Sequence, residues 1–274
     1  MKRKLKKIVK ELLRKAGLLK SVRRVSYRIR TGKIGYLFKA AAQFEYQILT
    51  KKIIFSVADP YSAAFVDYYL LNKTYEPEAV ELLNANLGDN DVFVDVGANI
   101  GYFSLVVGAR SSAIKIFAFE MGSENVQIFN KNLALNNLKN IEVHQVAVAD
   151  FTGKVFYEDS AVGNAVLKIM TDNKENNPDV VVVESVTLDD FFRERTEKPT
   201  VVKIDVEGAE MKVLQGMQQL LSTNIKLLIE IHPKDLIGFG SSREEVLQYL
   251  KEQQFQIRPV ASSDRKNDLV FAWK

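Results

Sequence analysis

The segment DVFVDVGANIGYFS, residues 91–104, constrains the fold of this chain more than any other. Apolar residues lead to Asp95, a glycine-rich turn follows, and a helical pattern begins directly after Gly101. This order predicts a buried parallel strand, a tight turn and a helix N-terminus. Such turns lie at the carboxyl edge of an α/β sheet, where these folds bind nucleotide-like ligands.

The charge beside the turn distinguishes between ligands. Gly97 and Gly101 are spaced G-x-x-x-G, whereas the dinucleotide fingerprint is G-x-G-x-x-G. Asp95 precedes the first glycine by two residues, and a carboxylate there repels a pyrophosphate but attracts an α-ammonium group. S-adenosylmethionine carries such an ammonium and no phosphate, so the pattern favours this cofactor over NAD or FAD.

A second acid supports the same cofactor. Residues 114–119 predict the next strand, and Glu120 follows it, 19 residues after Gly101. An acid at this place accepts hydrogen bonds from both hydroxyls of a ribose. Asn99, in the turn, is expected to bind the methionine end of the cofactor or else to stabilise the turn.

The residues expected around the adenine ring are predicted from their positions in the sequence alone. Ala147 and Asp150 follow the third predicted strand and are expected to form the rim around the adenine, with Asp150 accepting from its amino group. Met121 comes directly after Glu120 and is expected to pack on the ring.

Five segments carry a family resemblance: DVFVDVGANIGYFSL, FAFEMGSENVQIFNKNLALN, VTLDDFF, VVKIDVEGAEMKVLQGM and LLIEIHP, in that order. They resemble the FkbM-type S-adenosylmethionine-dependent methyltransferases over residues 75–273. The resemblance implies a seven-stranded class I methyltransferase fold, and O-methylation as the usual activity. It leaves the acceptor open, because members of this family act on chemically diverse hydroxyls.

Alternating strand and helix patterns extend through the rest of the chain and predict an α/β, Rossmann-like sheet that is mostly parallel. The last two strands are joined by a short link and are expected to form an antiparallel hairpin. Residues 151–190 are expected to form a small antiparallel β insertion with strands at 154–157, 165–169 and 180–186, and the family resemblance implies that it lies near the acceptor site. The predicted strands are 91–95, 114–119, 141–147, 200–204, 225–231, 255–260 and 268–273, and the predicted helices are 36–49, 77–86, 99–109, 123–137, 207–221 and 243–253.

Two parts of the chain differ in charge. Residues 1–33 hold 14 of the 38 basic residues and one of the 34 acids, so the rest of the chain is acidic. We therefore expect residues 1–50 to be a basic, helical N-terminal extension and residues 51–274 to be the methyltransferase domain. Apolar residues at helical spacing in the extension, interrupted by charges, are typical of neither a secretion signal nor a transmembrane span.

The basic face of the extension has three open interpretations. It could lie on an anionic membrane surface, pack on the domain or a partner, or bind RNA phosphates. The acidic catalytic region makes nucleic acid the least favoured partner. We expect a cytoplasmic protein, associated in the membrane case with the inner surface, and the sequence leaves the oligomeric state open. The chain has no cysteine, which excludes disulfides and thiolate metal sites.

The catalytic residues are expected at the ends of the fourth and fifth core strands. Asp205 and Glu207 follow a buried strand, and His232 closes the next one. These three are the candidates to orient the acceptor or to remove its proton, His232 as a neutral imidazole oriented by Glu230. Glu210 is explained equally well by the helix dipole.

Lys203 lies on the same face as Asp205 and needs a carboxylate partner. It is expected either to support Asp205 or to contact the acceptor. His144 lies within a strand and is expected to be structural. No metal is expected, since no complete ligand set is recognisable.

Three functions remain open on this sequence. The first is O-methylation of a hydroxyl on a sugar, glycolipid or other metabolite. The second is an RNA methyltransferase that uses the basic extension. The third is a catalytically silent S-adenosylmethionine-binding protein.

Overall fold

A computed structural model describes residues 43–58, 60–66, 70, 75–158, 180–261 and 268–274. The strands are β1 (Gln43–Ile48), β2 (Lys51–Ser56), β3 (Val92–Val96), β4 (Lys115–Phe119), β5 (Ile141–His144), β6 (Ala147–Val148), β7 (Gly153–Glu158), β8 (Val180–Val186), β9 (Val201–Ile204), β10 (Lys226–Ile231), β11 (Gln256–Val260) and β12 (Asp268–Trp273). The helices are α1 (Pro60–Phe65), α2 (Pro77–Asn86), α3 (Tyr102–Arg110), α4 (Ser123–Asn136), α5 (Leu188–Phe192), α6 (Glu210–Gln215), α7 (Gln218–Leu221), α8 (Pro233–Leu236) and α9 (Arg243–Glu252).

The central sheet has seven strands in the order β11-β12-β10-β9-β3-β4-β5. Strands β10, β9, β3, β4 and β5 pair in parallel, and β12 pairs antiparallel with both β10 and β11. The sheet therefore confirms the prediction of a mostly parallel class I methyltransferase fold that ends in an antiparallel hairpin. The carboxyl ends of β3, β4, β9 and β10 meet at one edge.

Both faces of the sheet are covered, which explains the continuous apolar runs in its strands. Alternate residues point to opposite faces: Phe93 and Ile116 join one core, and Val94 and Phe117 join the other. All four side chains are fully buried. Each contributes about 1.5–3 kcal/mol through burial of apolar surface.

The predicted helix at 36–49 is wrong where the structure describes it. Residues 43–48 form β1, which pairs antiparallel with β2. Its sequence QFEYQI alternates, and Tyr46 and Ile48 point inward. This period of two indicates a strand, and it was available in the sequence. Of the predicted N-terminal extension, residues 1–50, residues 1–42 lie outside the described residues.

The predicted helix at 207–221 is shorter at its start and divided. Glu207 and Gly208 have positive φ angles, 52° and 104°, and the helix begins only at Glu210. A second break separates α6 from α7 at Gly216, where a β-carbon would overlap the carbonyl oxygen of Ala149. Tertiary contacts, not local propensity, set both boundaries.

The predicted insertion contains a three-stranded sheet in the order β6-β8-β7. β7 and β8 are antiparallel, as predicted, and β6 adds to β8 in parallel. The strand predicted at 141–147 is therefore two strands in two sheets. The predicted strand at 165–169 lies outside the described residues.

Candidate active site

The glycine turn after β3 is shaped by contacts within the protein. Gly97 has φ 79°, and a β-carbon there would overlap the carbonyl oxygen of Asp205. Gly101 has φ 89°, and a β-carbon there would overlap the ring of Phe129. The amide of Gly97 donates to the carbonyl of Phe119 over 2.9 Å. The turn is thus fixed between the ends of β4 and β9. The predicted cofactor site and the predicted catalytic residues therefore lie next to each other.

Asp95 lies under the start of α3. Its Oδ2 accepts hydrogen bonds from the amide and the hydroxyl of Ser104, at 3.1 and 2.6 Å. Its Oδ1 is buried and has no hydrogen-bond partner among the described residues. Burial raises the pKa of Asp95, and the charge of Lys203 opposes that shift. Asp95 therefore remains a predicted binder of the cofactor ammonium.

Glu120 organises the turn from the end of β4. Its Oε2 accepts from the amide of Asn99 over 2.8 Å, and its Oε1 accepts from the amide of Gly122 over 2.7 Å. Burial raises the pKa of Glu120, whereas these two amides lower it. Asn99 has a positive φ of 52°, and its side-chain oxygen accepts from the hydroxyl of Tyr61 over 3.0 Å. Tyr61 was missed in the sequence.

The residues assigned to the adenine rim lie together only in part. Met121 and Ala147 belong to one buried apolar cluster with Val155 of β7. Phe239, from the loop after β10, packs on the same cluster. Asp150 instead pairs with Lys212 of α6 over 2.8 Å, so an adenine amino group would share this carboxylate with a lysine.

A buried ion pair supports the end of β9. Nζ of Lys203 is 3.0 Å from Oδ2 of Asp205 and 4.7 Å from the ring centre of Phe103. Lys203 is only 2% exposed. Burial alone lowers the pKa of Lys203, but the charges of Asp205 and Asp95 outweigh it and raise the pKa. The charge of Lys203 thus compensates the negative charges of both Asp95 and Asp205.

His232 lies at the centre of a carboxylate cluster. Its Nδ1 donates to Oε1 of Glu210 over 2.7 Å. Its Nε2 is 3.7 Å from Asp205, 3.7 Å from Glu207 and 3.9 Å from Glu230. The group that orients His232 is therefore Glu210, not the predicted Glu230.

The cluster changes the expected charge of His232. Burial lowers its pKa, but the hydrogen bond to Glu210 and the charges of Asp205 and Glu207 raise it to about 9. The imidazole of the ligand-free protein is therefore protonated at neutral pH, and the expected neutral form is wrong for this state. Burial raises the pKa of Glu207 to about 6, an effect that the charge of His232 opposes.

The contacts of Glu210 go beyond what the helix-dipole interpretation predicts. It is fully buried, and Oε1 also accepts from the amide of Gly208 over 3.0 Å. Its Oε2 is buried without a hydrogen-bond partner among the described residues. A carboxylate that only complements a helix dipole would stay in solvent. The sequence shows how far Glu210 lies from Asp205 along the chain. It does not show that Glu210 contacts His232, the residue directly after β10.

Tyr75 and Glu76 approach the cluster from the start of α2, and no sequence pattern indicates this position. Burial, together with the charges of Glu76 and Asp205, raises the pKa of Tyr75. The carbonyl of Tyr75 accepts from the hydroxyl of Tyr102 over 2.8 Å. A hydroxyl and a further carboxylate therefore lie beside the Asp205 edge.

Fold and site together define a class I methyltransferase. Asp95 and Glu120, the predicted partners of the cofactor ammonium and ribose, lie near the end of β3 and directly after β4, beside the glycine turn. The residues present thus fit S-adenosylmethionine.

The chain belongs to the FkbM methyltransferase family. The family model described as "Methyltransferase FkbM domain" matches residues 95–257. The chain is accordingly a methyltransferase, and S-adenosylmethionine is its cofactor.

Two curated relatives show the range of similarity. The hexuronic acid methyltransferase AglP of Haloferax volcanii is 26% identical over 191 residues, which cover 66% of this chain and 76% of AglP. Methyltransferase sdnD of Sordaria araneosa is 31% identical over 164 residues, which cover 49% of this chain and 63% of sdnD.

Solved structures are more distant in sequence. Precorrin-6y C5,15-methyltransferase from Geobacter metallireducens has a TM-score of 0.46 at 13% identity, covering 74% of this chain and 90% of that one. M. jannaschii TYW2 in complex with AdoMet has a TM-score of 0.42 at 14% identity, covering 84% of each chain. Within the described ranges, no helix is both long and apolar enough to span a bilayer.

Proposed function

We propose that this protein transfers the methyl group of S-adenosylmethionine to a hydroxyl oxygen of a sugar, glycolipid or similar small metabolite. The observation that carries the proposal is the close approach of Asp205 to Gly97. It brings the carboxylates and imidazole at the ends of β9 and β10 beside the cofactor turn. Carboxylates accept protons from hydroxyls, which is what O-methylation requires.

The cofactor supplies an already activated methyl group, so the protein mainly aligns the acceptor. Alignment alone supplies up to about 7–11 kcal/mol of a barrier in favourable cases. Asp205, held by Lys203, and His232, held by Glu210, are fixed on rigid strands and would orient the acceptor hydroxyl.

Glu207 is the residue that we propose receives the proton. It has a positive φ of 52°, and its side chain is 39% exposed, the most open of the cluster. In the proposed step the acceptor O–H bond breaks and its proton moves to Glu207. The oxygen then bonds to the methyl carbon, and the carbon–sulfur electron pair stays on sulfur. The products are an ether and S-adenosylhomocysteine.

A sugar acceptor is supported by the name of one relative, the hexuronic acid methyltransferase AglP. A hexuronic acid carries hydroxyls and a carboxylate. The acidic cluster would repel the phosphates of RNA and, by the same charge, the carboxylate of a hexuronic acid, so we expect the acceptor to present a neutral hydroxyl to it.

The test is transfer of labelled methyl groups from S-adenosylmethionine to a panel of acceptors. The panel contains hexuronic acid glycosides, neutral hexose glycosides and RNA. We expect alkali-stable incorporation into a glycoside hydroxyl, reduced at least about 100-fold by Asp205→Asn. Asp89→Asn, at an exposed position before β3, is the matched control. Incorporation into RNA alone would refute the proposal.

A further inference from the structure

We propose that Asp205, Glu230 and His232 bind a first-row divalent cation beside the acceptor position. The catalytic role of the cation rests on the proposed function, whereas the binding of the cation does not. The three residues each present one ligand atom, and these atoms all lie within 4.8 Å of one another. They come from the ends of β9 and β10, two adjacent parallel strands, so the backbone of the sheet holds them together.

The carboxylate oxygens around Nε2 of His232 are near enough to reach one ion with small side-chain shifts. Donor atoms about 2.1 Å from a six-coordinate cation lie about 3.0 Å apart when adjacent and about 4.2 Å apart when opposite. Nε2 is 3.7 Å from Asp205 Oδ1 and 3.9 Å from Glu230 Oε1, between these two values. Glu207 Oε2, also at 3.7 Å, is a fourth donor within reach.

The imidazole points into the cluster without a hydrogen bond at Nε2. His232 is 3% exposed, and no described residue lies within hydrogen-bonding distance of that nitrogen. An N–H group surrounded by carboxylates would draw one of them to about 2.7–3.2 Å. The surrounding oxygens instead stand off together, so the nitrogen is better placed to share a cation with them than to donate to one oxygen.

The other side of the ring is arranged as for a metal ligand. Metal-binding histidines usually donate their second ring N–H to a carboxylate, which fixes the ring and its tautomer. Here Nδ1 donates to the fully buried Glu210 over 2.7 Å. When a cation replaces the proton on Nε2, the lone pair of this nitrogen would be directed at Asp205 and Glu230.

Charge also favours a cation. The carboxylates of Asp205, Glu207, Glu210 and Glu230 surround one imidazole, and Lys203 is the nearby lysine. Lys203 pairs with Oδ2 of Asp205, so Oδ1 remains directed at the cluster. Clustered acids destabilise the fold unless a cation compensates them.

The ligand types select the cation. Imidazole favours first-row transition ions, and carboxylates alone favour Mg²⁺ or Ca²⁺. One imidazole with two or three carboxylates is suited to an ion such as Mn²⁺ or Fe²⁺. In the proposed site the cation would hold the acceptor oxygen and favour its deprotonated form.

The experiment is a Mn²⁺ titration of the tag-free, EDTA-treated full chain, followed by calorimetry and by electron paramagnetic resonance. We expect one Mn²⁺ per chain, with affinity at least about ten-fold weaker in Glu230→Gln and His232→Gln. His144→Asn is the matched control, because the chain has only two histidines. It should bind Mn²⁺ like the wild type.

A second readout does not depend on a destabilised variant. In His144→Asn, modulation with the coupling of a directly bound imidazole nitrogen, in the pulsed resonance of bound Mn²⁺, can come only from His232. Its presence supports the site. Absence of modulation, or no Mn²⁺ binding up to about 1 mM by folded wild type, overturns it. Binding of S-adenosylhomocysteine is measured separately in EDTA, so failure of the cofactor site and failure of the metal site are distinguishable.

Discussion

The α-carbon of Gly97 faces the carbonyl oxygen of Asp205, with no space for a β-carbon between them. This contact joins the cofactor turn to the acceptor edge. Gly97→Ala must therefore move β9, and it also places a side chain at a φ of 79°. We expect a loss of about 3 kcal/mol in the free energy of unfolding, measured by thermal or urea denaturation.

The matched control for this change is Gly88→Ala. The nearest atom to a β-carbon at Gly88 is Asp91 Oδ2 at 3.5 Å, an ordinary contact. This variant should stay within about 0.5 kcal/mol of the wild type. Equal stability of the two variants would show that the Gly97–Asp205 contact is not the constraint that we infer.

The pH dependence of cofactor binding should reflect Asp95. Its pKa is raised above 3.8 by burial, and the α-ammonium of the ligand needs the deprotonated form. Affinity for S-adenosylhomocysteine should be complete above this raised pKa and fall as pH drops through it. The fall thus begins at a higher pH than an ordinary aspartate allows. Calorimetry over a pH series measures it.

Asp95→Asn should bind weakly and without this pH dependence. Asp89→Asn, an exposed change of the same chemistry, should retain both the affinity and the pH profile of the wild type. An unchanged profile in Asp95→Asn would assign the titration to another group.

Removal of the buried lysine should be costly. Lys203→Met leaves Asp95 and Asp205 without their shared compensating cation. Breaking a buried charge pair from one side costs about 3–5 kcal/mol. Chemical denaturation measures this loss. The double variant Lys203→Met, Asp205→Asn should recover part of it, whereas Lys226→Met, a more accessible lysine on β10, should be nearly neutral.

The pKa values of the two histidines should lie on opposite sides of the ordinary value for an imidazole. In the metal-free protein the pKa of His232 is raised to about 9, whereas burial lowers the pKa of His144 below 6.5. Because His232 is protonated more readily when folded, its proton stabilises the fold fully below pH 6.5, and that contribution is lost as pH rises through about 9. Histidine NMR shifts in EDTA measure both.

A matched change tests the cause. Glu210→Gln removes the carboxylate that holds Nδ1 of His232 and should lower the pKa of His232, while His144 keeps its value. If His232 of the wild type titrated below 6.5, the neutral imidazole of the sequence analysis would be restored.

The elements that sequence predicted well are those dictated by local pattern. Apolar runs that end in Asp95, Glu120 and Asp205 define buried strands, and parallel strands bring their ends to one edge. Pro77 starts α2 as expected, because its fixed φ suits the first helical position. The cluster of acids around the turn follows from these few facts.

What the sequence did not reveal depends on contacts between distant segments. Gly208 is packed so tightly on the backbone of Asp235 that the chain turns at Glu207 before α6 can begin. The charge of His232 depends on carboxylates of β9, α6 and its own strand, whose approach no local pattern encodes. By contrast, the alternating sequence of β1 was sufficient to predict a strand, and the helix predicted there is wrong.

The hairpin β1–β2 is held to the domain by two asparagines of α4, and they allow a last, paired prediction. Asn136 donates to the carbonyl and accepts from the amide of Ile54, over 2.7 and 2.8 Å. Asn132 accepts from the amide of Ser56 over 2.8 Å and donates to the carbonyl of Ile100, in the cofactor turn, over 3.0 Å. Only Asn132 therefore links the hairpin to the turn.

Replacing either asparagine by alanine leaves buried backbone groups without partners. Each should lower the free energy of unfolding by about 1–3 kcal/mol, measured by urea denaturation. Asn132→Ala should in addition weaken S-adenosylhomocysteine binding, because the carbonyl of Ile100 loses its donor and the turn loosens. Asn136→Ala should leave that affinity unchanged. Equal losses of affinity in the two variants would mean that the hairpin as a whole, and not the Asn132 bond, holds the turn.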